Sequence, residues 1–303
     1  MIYCRLLYVI LASLIFIVPD LSADPPKGEA GKTLEFTYKM TTKDLGAHVH
    51  FPDDWKPGDK RPAIVFFFGG GWTKGTPKQF ESQANYLAKR GMVAVRADYT
   101  LGKGPDECAE DARSAMRWMR THAKELGIDP DRIVSSGGSA GGHLAACVGT
   151  CPASDSEEKK ISSRSNAMVL FNPVLDMEAI TKDGKFNLPQ DFNLPQDKAA
   201  TISPIRHSNK ADPPAIIFFG TDDRLAEHGK AFLKHAKEVG TRVELVWADS
   251  QPHGFFNRSP WQERTLREAD KFLVSIGYLK GESTLKLPDS ALKELTVETS
   301  SRK

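Results

Sequence analysis

Short apolar runs alternate with segments of helical periodicity along most of this chain, and this alternation is what most constrains its fold. Three runs, Ala63–Phe68, Ala167–Phe171 and Ala215–Phe219, are apolar throughout, which is typical of strands covered on both faces. Segments such as Pro77–Arg90 and Ala226–Val239 have helical spacing and are each followed by glycine. The pattern predicts an α/β fold with a mostly parallel central sheet and helices on both faces.

The same reasoning assigns elements to most of the remaining chain. Further strands are predicted at Leu34–Met40, Ala47–Phe51, Met92–Ala97, Arg132–Ser136 and Arg242–Trp247, the last of these being the final strand. Further helices are predicted at Glu107–Leu126, Gly141–Val148 and Pro260–Ile276.

The alternation lapses between about residues 175 and 212. This stretch contains a tandem hexapeptide, Phe186–Asp191 followed by Phe192–Asp197. Two copies of six residues cannot form a solenoid. The stretch is either a loop that tolerated duplication or a short cap-like insertion over the ligand end of the sheet.

The two ends of the chain differ from this α/β region. Residues 1–23 combine one cation, Arg5, with a 13-residue apolar run and then small residues up to Ala23, a pattern typical of a secretory signal peptide. The run spans only about 20 Å as a helix, too short for a hydrocarbon core of about 30 Å, although an uncleaved membrane anchor is the alternative. We therefore expect a signal peptide (1–23), a main α/β domain (24–278) and a polar C-terminal tail (279–303), mobile apart from one helical turn near Ser290–Leu295. The mature protein is expected to be secreted or periplasmic, with no stable membrane span.

Composition excludes several classes of function. The 303 residues carry 41 Lys and Arg against 39 Asp and Glu, so no basic field argues for nucleic acid as a partner. No Cys-x-x-Cys or His-Glu-x-x-His motif supports a zinc site. Three cysteines follow the leader, an odd number, and we expect buried free thiols. We expect no metal and no organic cofactor.

One motif carries chemistry directly. Gly137-Gly138-Ser139-Ala140-Gly141 has the form Gly-x-Ser-x-Gly and lies where a predicted strand gives way to a helix. Such a turn needs small neighbours, exposes the serine Oγ and aims the following N–H, that of Ala140, at a developing oxyanion. The sequence therefore predicts a nucleophilic serine, the alternative being a glycine-rich helix start used for packing or anion binding.

A nucleophilic serine needs a base, and the base needs an orienting carboxylate. His253 lies in a loop just after the predicted strand Arg242–Trp247, at the sheet edge where ligands gather, whereas the other seven histidines are less well placed. Asp222 and Asp223 directly follow the strand Ala215–Phe219, so both carboxylates lie at that edge. The order Ser139, Asp223, His253 is the chain order of α/β-hydrolases.

Further oxyanion donors are predicted in the loop after the strand Ala63–Phe68. Gly69-Gly70-Gly71 can present backbone N–H groups without obstruction by side chains. A phosphate-binding loop is not supported, because no Gly-Lys-Ser/Thr follows and Lys74 interrupts the alternative glycine pattern.

At these residues the chain resembles α/β-hydrolase-fold serine esterases, most closely the hormone-sensitive-lipase-like branch with its feruloyl and acetyl-xylan esterases. The stretches that carry the resemblance are FFFGGGW (66–72), ADY (97–99), GIDPDRI (127–133), GGSAGGHLAA (137–146), FNPV (171–174), FFGTDD (218–223) and PHGFF (252–256). They span nearly all of residues 60–275.

The resemblance implies roles for individual residues. It makes Ser139 the nucleophile, His253 the general base and Asp223 the acid, with Asp222 the weaker candidate. Its oxyanion donors are the N–H groups of Gly70, Gly71 and Ala140. Phe68 stands where these families have a histidine that braces the loop. Trp72 is expected to line the acyl or alcohol pocket, the alternative being a core tryptophan.

The resemblance implies a secreted serine carboxylesterase that acts through an acyl-enzyme on a small ester or an acylated carbohydrate, such as acetyl or feruloyl esters. The alternatives are a serine amidase or peptidase of the same fold and a non-catalytic hydrolase scaffold that binds its ligand.

Overall fold

The computed structural model describes residues 26–153, 161–182, 188–189, 192, 194–288 and 294–300. Within these residues nine strands form one sheet in the order β1-β2-β4-β3-β5-β6-β7-β8-β9. The strands are β1 (Thr33–Lys39), β2 (Leu45–His50), β3 (Arg61–Phe67), β4 (Val93–Ala97), β5 (Ile128–Gly138), β6 (Ala167–Phe171), β7 (Ala215–Gly220), β8 (Val243–Ala248) and β9 (Thr296–Thr299). The six central strands, β4-β3-β5-β6-β7-β8, are parallel, while β1, β2 and β9 pair antiparallel at the edges.

The helices connect these strands. They are α1 (Glu81–Lys89), α2 (Pro105–Thr121), α3 (Ala123–Leu126), α4 (Ala140–Thr150), α5 (Met177–Lys182), α6 (Gln196–Thr201), α7 (Pro204–His207), α8 (Ala226–Val239) and α9 (Trp261–Ser275). Helices α2, α4 and α8 pack on one face of the sheet, and α1 and α9 pack on the other. Every helix built from these residues is too short or too polar to cross a bilayer. The predicted fold class, a mostly parallel sheet covered on both faces, is confirmed.

Two element predictions are wrong. The helix predicted over Glu107–Leu126 is two helices, because His122 leaves helical geometry and ends α2. The strand at β8 is not the final one, because β9 pairs with it, and Trp247 Nε1 donates a 2.6 Å hydrogen bond to Glu298 Oε1. Four residues in a polar stretch are too few to show an alternating pattern, so the sequence alone does not predict β9. The strand forms by pairing with the edge of β8. It lies inside the predicted tail.

Several sequence predictions fall wholly or partly on undescribed residues. The signal peptide, five of the twelve residues of the tandem hexapeptide and most of the helical turn near Ser290–Leu295 lie outside the described residues. Cys108, Cys147 and Cys151 are buried and free, as expected.

Aromatic rings fill the core beneath the carboxyl ends of the central strands. Phe171 on β6 stacks on Phe218 of β7, with ring centroids 5.0 Å apart, and on Phe256, at 4.9 Å. Phe80 contacts both Phe171 and Phe256, and it stacks on Phe66 of β3 at 5.0 Å. We call these five rings the phenylalanine cluster. It ties three strands to the loop that contains His253.

Candidate active site

Ser139 lies in the turn that joins β5 to α4. Its φ of 55° and ψ of −117° place a non-glycine residue in strained geometry. Its N–H donates a 2.9 Å hydrogen bond to Phe171 O of the neighbouring strand, which fixes the turn to the sheet. The side chain is thereby held at the carboxyl edge of the parallel strands, where the sequence predicted it.

The structure brings Ser139, His253 and Asp223 into one chain of hydrogen bonds. Ser139 Oγ lies 2.9 Å from His253 Nε2, and His253 Nδ1 lies 3.0 and 2.9 Å from the two carboxylate oxygens of Asp223. With the Nδ1–H tautomer, the imidazole donates to Asp223 and accepts from Ser139. The Asp223 side chain is fully buried, whereas that of His253 is 28% exposed. Asp222 is exposed, and its N–H donates to Gln251 O, so Asp223 is the carboxylate that the fold presents to His253.

Two further contacts hold the Asp223 carboxylate. The Leu225 N–H donates to Oδ1 at 2.9 Å, and Asn172 Nδ2 donates to Oδ2 at 2.6 Å. The Asn172 side chain also accepts the Gly254 N–H at 3.2 Å. Asn172 stands in the FNPV stretch, but sequence reasoning assigned it no role. The signal that could have identified Asn172 is its position as a polar residue directly after a buried strand.

The glycine loop after β3 forms the opposite wall of the site. Gly70 and Gly71 have φ of 132° and 63°. Among the described residues neither N–H has an acceptor, so both are available to a ligand. Ala140 begins α4, where the first N–H groups lack intrahelical acceptors, and it is buried. The loop and the serine line one cavity, but the donor roles of all three residues stay predictions.

Phe68 points into the core instead of bracing the loop as a histidine would. It is 1% exposed and stacks on Tyr99 at 4.2 Å, while the Tyr99 hydroxyl donates to Phe68 O at 2.8 Å. The polar brace comes from Gln79, whose Oε1 accepts the Gly69 N–H at 2.6 Å. Gln79 Nε2 donates to Asn257 Oδ1 at 3.0 Å, and Asn257 Nδ2 donates to Gly254 O at 3.0 Å. Gln79 thus links the glycine loop to the loop of His253, a role that sequence reasoning missed.

Trp72, at the end of the glycine loop, packs against His143 of α4. Trp72 lines the cavity yet is only 4% exposed, so it fits both the pocket and the core interpretation. Its ring meets that of His143 edge to face, at 5.4 Å. His143 is fully buried, its Nε2–H donates to Ile202 O at 2.7 Å, and burial lowers its pKa to about 4. His143 is therefore a neutral packing residue of α4 near neutral pH.

The cavity holds about 900 Å³ and has both polar and apolar lining residues. Its polar side chains include Thr73, Lys74, Thr76, Gln79 and Asn257. Its apolar side chains include Trp72, Val174, Ile180, Leu188, Pro189, Leu225 and Phe256. Ile180, Leu188 and Pro189 belong to the insertion predicted at about 175–212, so this segment reaches the site.

Comparisons with known proteins find esterases among the relatives of this chain. The chain is 44% identical to the esterase Est2 of Thermogutta terrifontis, with a TM-score of 0.75 over 82% of this chain and 95% of that one. An esterase of Gibberella moniliformis is 29% identical over 64% of this chain and 67% of its own length. Esterase LipI of Mycobacterium tuberculosis is 26% identical over 78% of this chain and 74% of its own.

The sheet, the strained serine turn and these similarities define an ester hydrolase with the α/β-hydrolase fold. The resemblance to α/β-hydrolase-fold esterases inferred from the sequence is thereby confirmed. The BD-FAE family model matches residues 49–236, and the chain belongs to the BD-FAE family.

Proposed function

We propose that this ester hydrolase is a serine carboxylesterase that works through an acyl-enzyme. The observation that carries the proposal is the continuous chain of hydrogen bonds from Ser139 Oγ through His253 to the buried Asp223. A base within hydrogen-bond reach and an oriented imidazole are what a serine hydroxyl needs to become a nucleophile.

Each group has one step in the proposed mechanism. Ser139 Oγ attacks the ester carbonyl carbon while its proton passes to His253 Nε2, and Asp223 stabilises the imidazolium through Nδ1–H. The carbonyl oxygen becomes an oxyanion that accepts hydrogen bonds from the N–H groups of Gly70, Gly71 and Ala140. One such donor is worth roughly 3–4 kcal/mol of transition-state stabilisation. The imidazolium protonates the departing alcohol, and water, deprotonated by the same imidazole, then releases the acid.

The test compares the wild type with Ser139→Ala on p-nitrophenyl acetate. Removal of the nucleophile is expected to lower kcat by about 10³-fold or more. Ser114→Ala, which changes a serine on α2 outside the cavity, is the matched control and should keep wild-type activity. Equal rates in the wild type and Ser139→Ala would refute the serine mechanism.

Covalent labelling separates the enzyme from a non-catalytic scaffold. The esterase 2 of Thermogutta terrifontis has been solved phosphorylated by paraoxon, at 42% identity to this chain. We expect paraoxon or a fluorophosphonate probe to add one group per chain, on the peptide that contains Ser139. A folded protein that takes up no label would favour the binding scaffold.

For the substrate, we propose esters of short or aromatic acids on a polar alcohol, including acetyl and feruloyl esters of carbohydrates. The apolar side chains that line the cavity suit the acyl group, and the polar side chains suit hydroxyl groups. The Thermogutta terrifontis esterase has been solved with propionate and with butyrate bound. A panel of acetylated and feruloylated oligosaccharides, p-nitrophenyl butyrate and matched amides tests this. Amide turnover as fast as ester turnover would favour the amidase alternative.

We further propose that residues 1–23 export the protein and are removed near Ala23, because a short charged start precedes the apolar run and small residues. This cleavage would leave a mature chain with a catalytic domain over 24–278 and, from the change to a polar composition, a C-terminal segment over 279–303. Expression of the full chain in a secreting host, with N-terminal sequencing of the exported protein, tests it. Retention of the intact leader in the membrane fraction would indicate an anchor instead.

A further inference from the structure

We infer that Asn172 is a positioning residue that holds Asp223 and His253, the acid and the base of the active site, in their relative positions. The inference rests on the proposed serine mechanism and adds a fourth side chain to it.

The backbone at Asn172 fixes where its amide points. The residue directly follows β6, is fully buried and has a φ of 45°, in the left-handed region that non-glycine residues seldom adopt. Its N–H donates to Phe218 O at 2.8 Å and so continues the pairing of β6 with β7. Asparagine tolerates this conformation better than most residues. The turn therefore directs a short polar side chain along the edge where Asp223 follows β7.

The two ends of the amide have different partners. Nδ2 donates to Asp223 Oδ2 at 2.6 Å, and Oδ1 accepts the Gly254 N–H at 3.2 Å. Gly254 is the residue after His253, and its carbonyl accepts from Asn257. One side chain thus binds the carboxylate directly and the imidazole through its backbone. Only a side chain with both a donor and an acceptor can do this, which excludes an aliphatic residue of the same size.

The carboxylate needs this contact in order to keep its orientation. Both oxygens of Asp223 face His253 Nδ1, while Leu225 N–H holds Oδ1 and Asn172 holds Oδ2. Loss of the Asn172 donor leaves Oδ2 with the imidazole alone and releases the Gly254 peptide. The imidazole would then be misaligned toward Ser139, which affects the chemical step more than substrate binding.

Two variants test the inference, both measured for kcat, KM, pH profile and thermal unfolding. Asn172→Gly removes the amide and permits the backbone conformation, and we expect kcat to fall about 10–100-fold with KM within about threefold. Asn172→Asp keeps the shape and the acceptor but supplies a donor only while its carboxyl group is protonated against Asp223. We expect its activity to decline with rising pH, where the wild-type rate stays level.

Ser250→Gly is the matched control, because Ser250 has a φ of 56° and precedes His253 by three residues but does not contact the triad. It should keep the wild-type kcat and pH profile. A wild-type kcat in Asn172→Gly, or a wild-type pH profile in Asn172→Asp, would overturn the inference. If Asn172→Gly fails to fold, the pH profile of Asn172→Asp decides. If Ser139→Ala also stays active, the serine mechanism has failed; if only the Asn172 variants are normal, this inference alone has failed.

Discussion

Two glycines in the glycine-rich segments of the active site are needed for different reasons. At Gly141, at the start of α4, the reason is space, because a Cβ there would lie 2.0 Å from Phe67 O. At Gly71, in the loop after β3, the reason is backbone conformation, because its φ is 63° and a Cβ there would meet no neighbouring atom. Both reasons apply to the adjacent Gly70, whose φ is 132° and whose Cβ would lie 1.9 Å from Lys74 O. Gly141 should therefore tolerate almost no change, whereas Gly71 should tolerate some.

The largest effect is expected from Gly141→Ala. The new methyl group would meet the carbonyl groups of Phe67 and Phe68, which are backbone atoms that cannot rotate away. We expect a loss of about 4 kcal/mol or more in the free energy of unfolding, measured in urea, together with loss of esterase activity.

Gly149→Ala is its control on the same helix. The methyl group there would meet the flexible Met168 side chain, so the loss should be smaller, about 1–3 kcal/mol. Equal losses at both positions would contradict the argument that backbone contact fixes the turn.

Acid should lower the free energy of unfolding through His143, which lies on α4 four residues after Ser139. Burial lowers its pKa from 6.5 to about 4, so the unfolded chain binds a proton over this range and the folded chain does not. The stability is fully present above pH 6.5 and declines as the pH falls toward 4, by about 3 kcal/mol for this group. Urea titrations between pH 4 and 7 measure this dependence.

His143→Gln isolates the contribution of His143, since burial also lowers the pKa of His50 to about 4. The variant should show a shallower pH dependence than the wild type. If the free energy of unfolding of the variant and of the wild type changed with pH in the same way, His143 would make no contribution to the acid sensitivity.

A smaller effect is expected where Gln79 braces the glycine loop after β3. Gln79→Ala removes the acceptor of the Gly69 N–H and the link to Asn257, so the proposed oxyanion donors would lose their alignment. We expect kcat to fall by the equivalent of about 1–3 kcal/mol, with little change in thermal unfolding. Lys78→Ala, at the neighbouring exposed position, should leave kcat unchanged. An equal loss of kcat in this variant would argue against a bracing role for Gln79.

The smallest effect is expected from Gly71→Ala, where only conformational strain opposes the methyl group. We expect a cost of about 1 kcal/mol in the free energy of unfolding. Gly58→Ala is matched, because Gly58 has a φ of 82° and open space but lies outside the cavity. A much larger loss at Gly71 than at Gly58 would mean that Gly71, like Gly141, is limited by neighbouring atoms.

The sequence predicted most of the fold because buried parallel strands and amphipathic helices have strong local signals. The helix Ala226–Val239 and the strand Ala167–Phe171 match the structure to the residue. The three residues of the hydrogen-bonded chain were found because each lies in the turn or loop that follows a strand. The structure favours Asp223 over Asp222, which the residue pattern alone left open.

What the sequence could not show depends on contacts between distant segments. Asn172 meets Asp223 across 51 residues, and Gln79 meets Asn257 across 178. No local period encodes either pair. The strand β9 likewise exists through its pairing with β8 and not through its own four residues.

Phe256 has a consequence for how the site can move. Its ring is 1% exposed within the phenylalanine cluster, and a Cβ on Gly138 would lie 2.5 Å from it. For the backbone of the loop that carries His253 to move away from Ser139, this ring would have to leave the core, at a cost of about 3–5 kcal/mol. A loop displaced in this way would be populated in at most about one molecule in a hundred. The loop that carries the imidazole is therefore fixed in place before an ester binds.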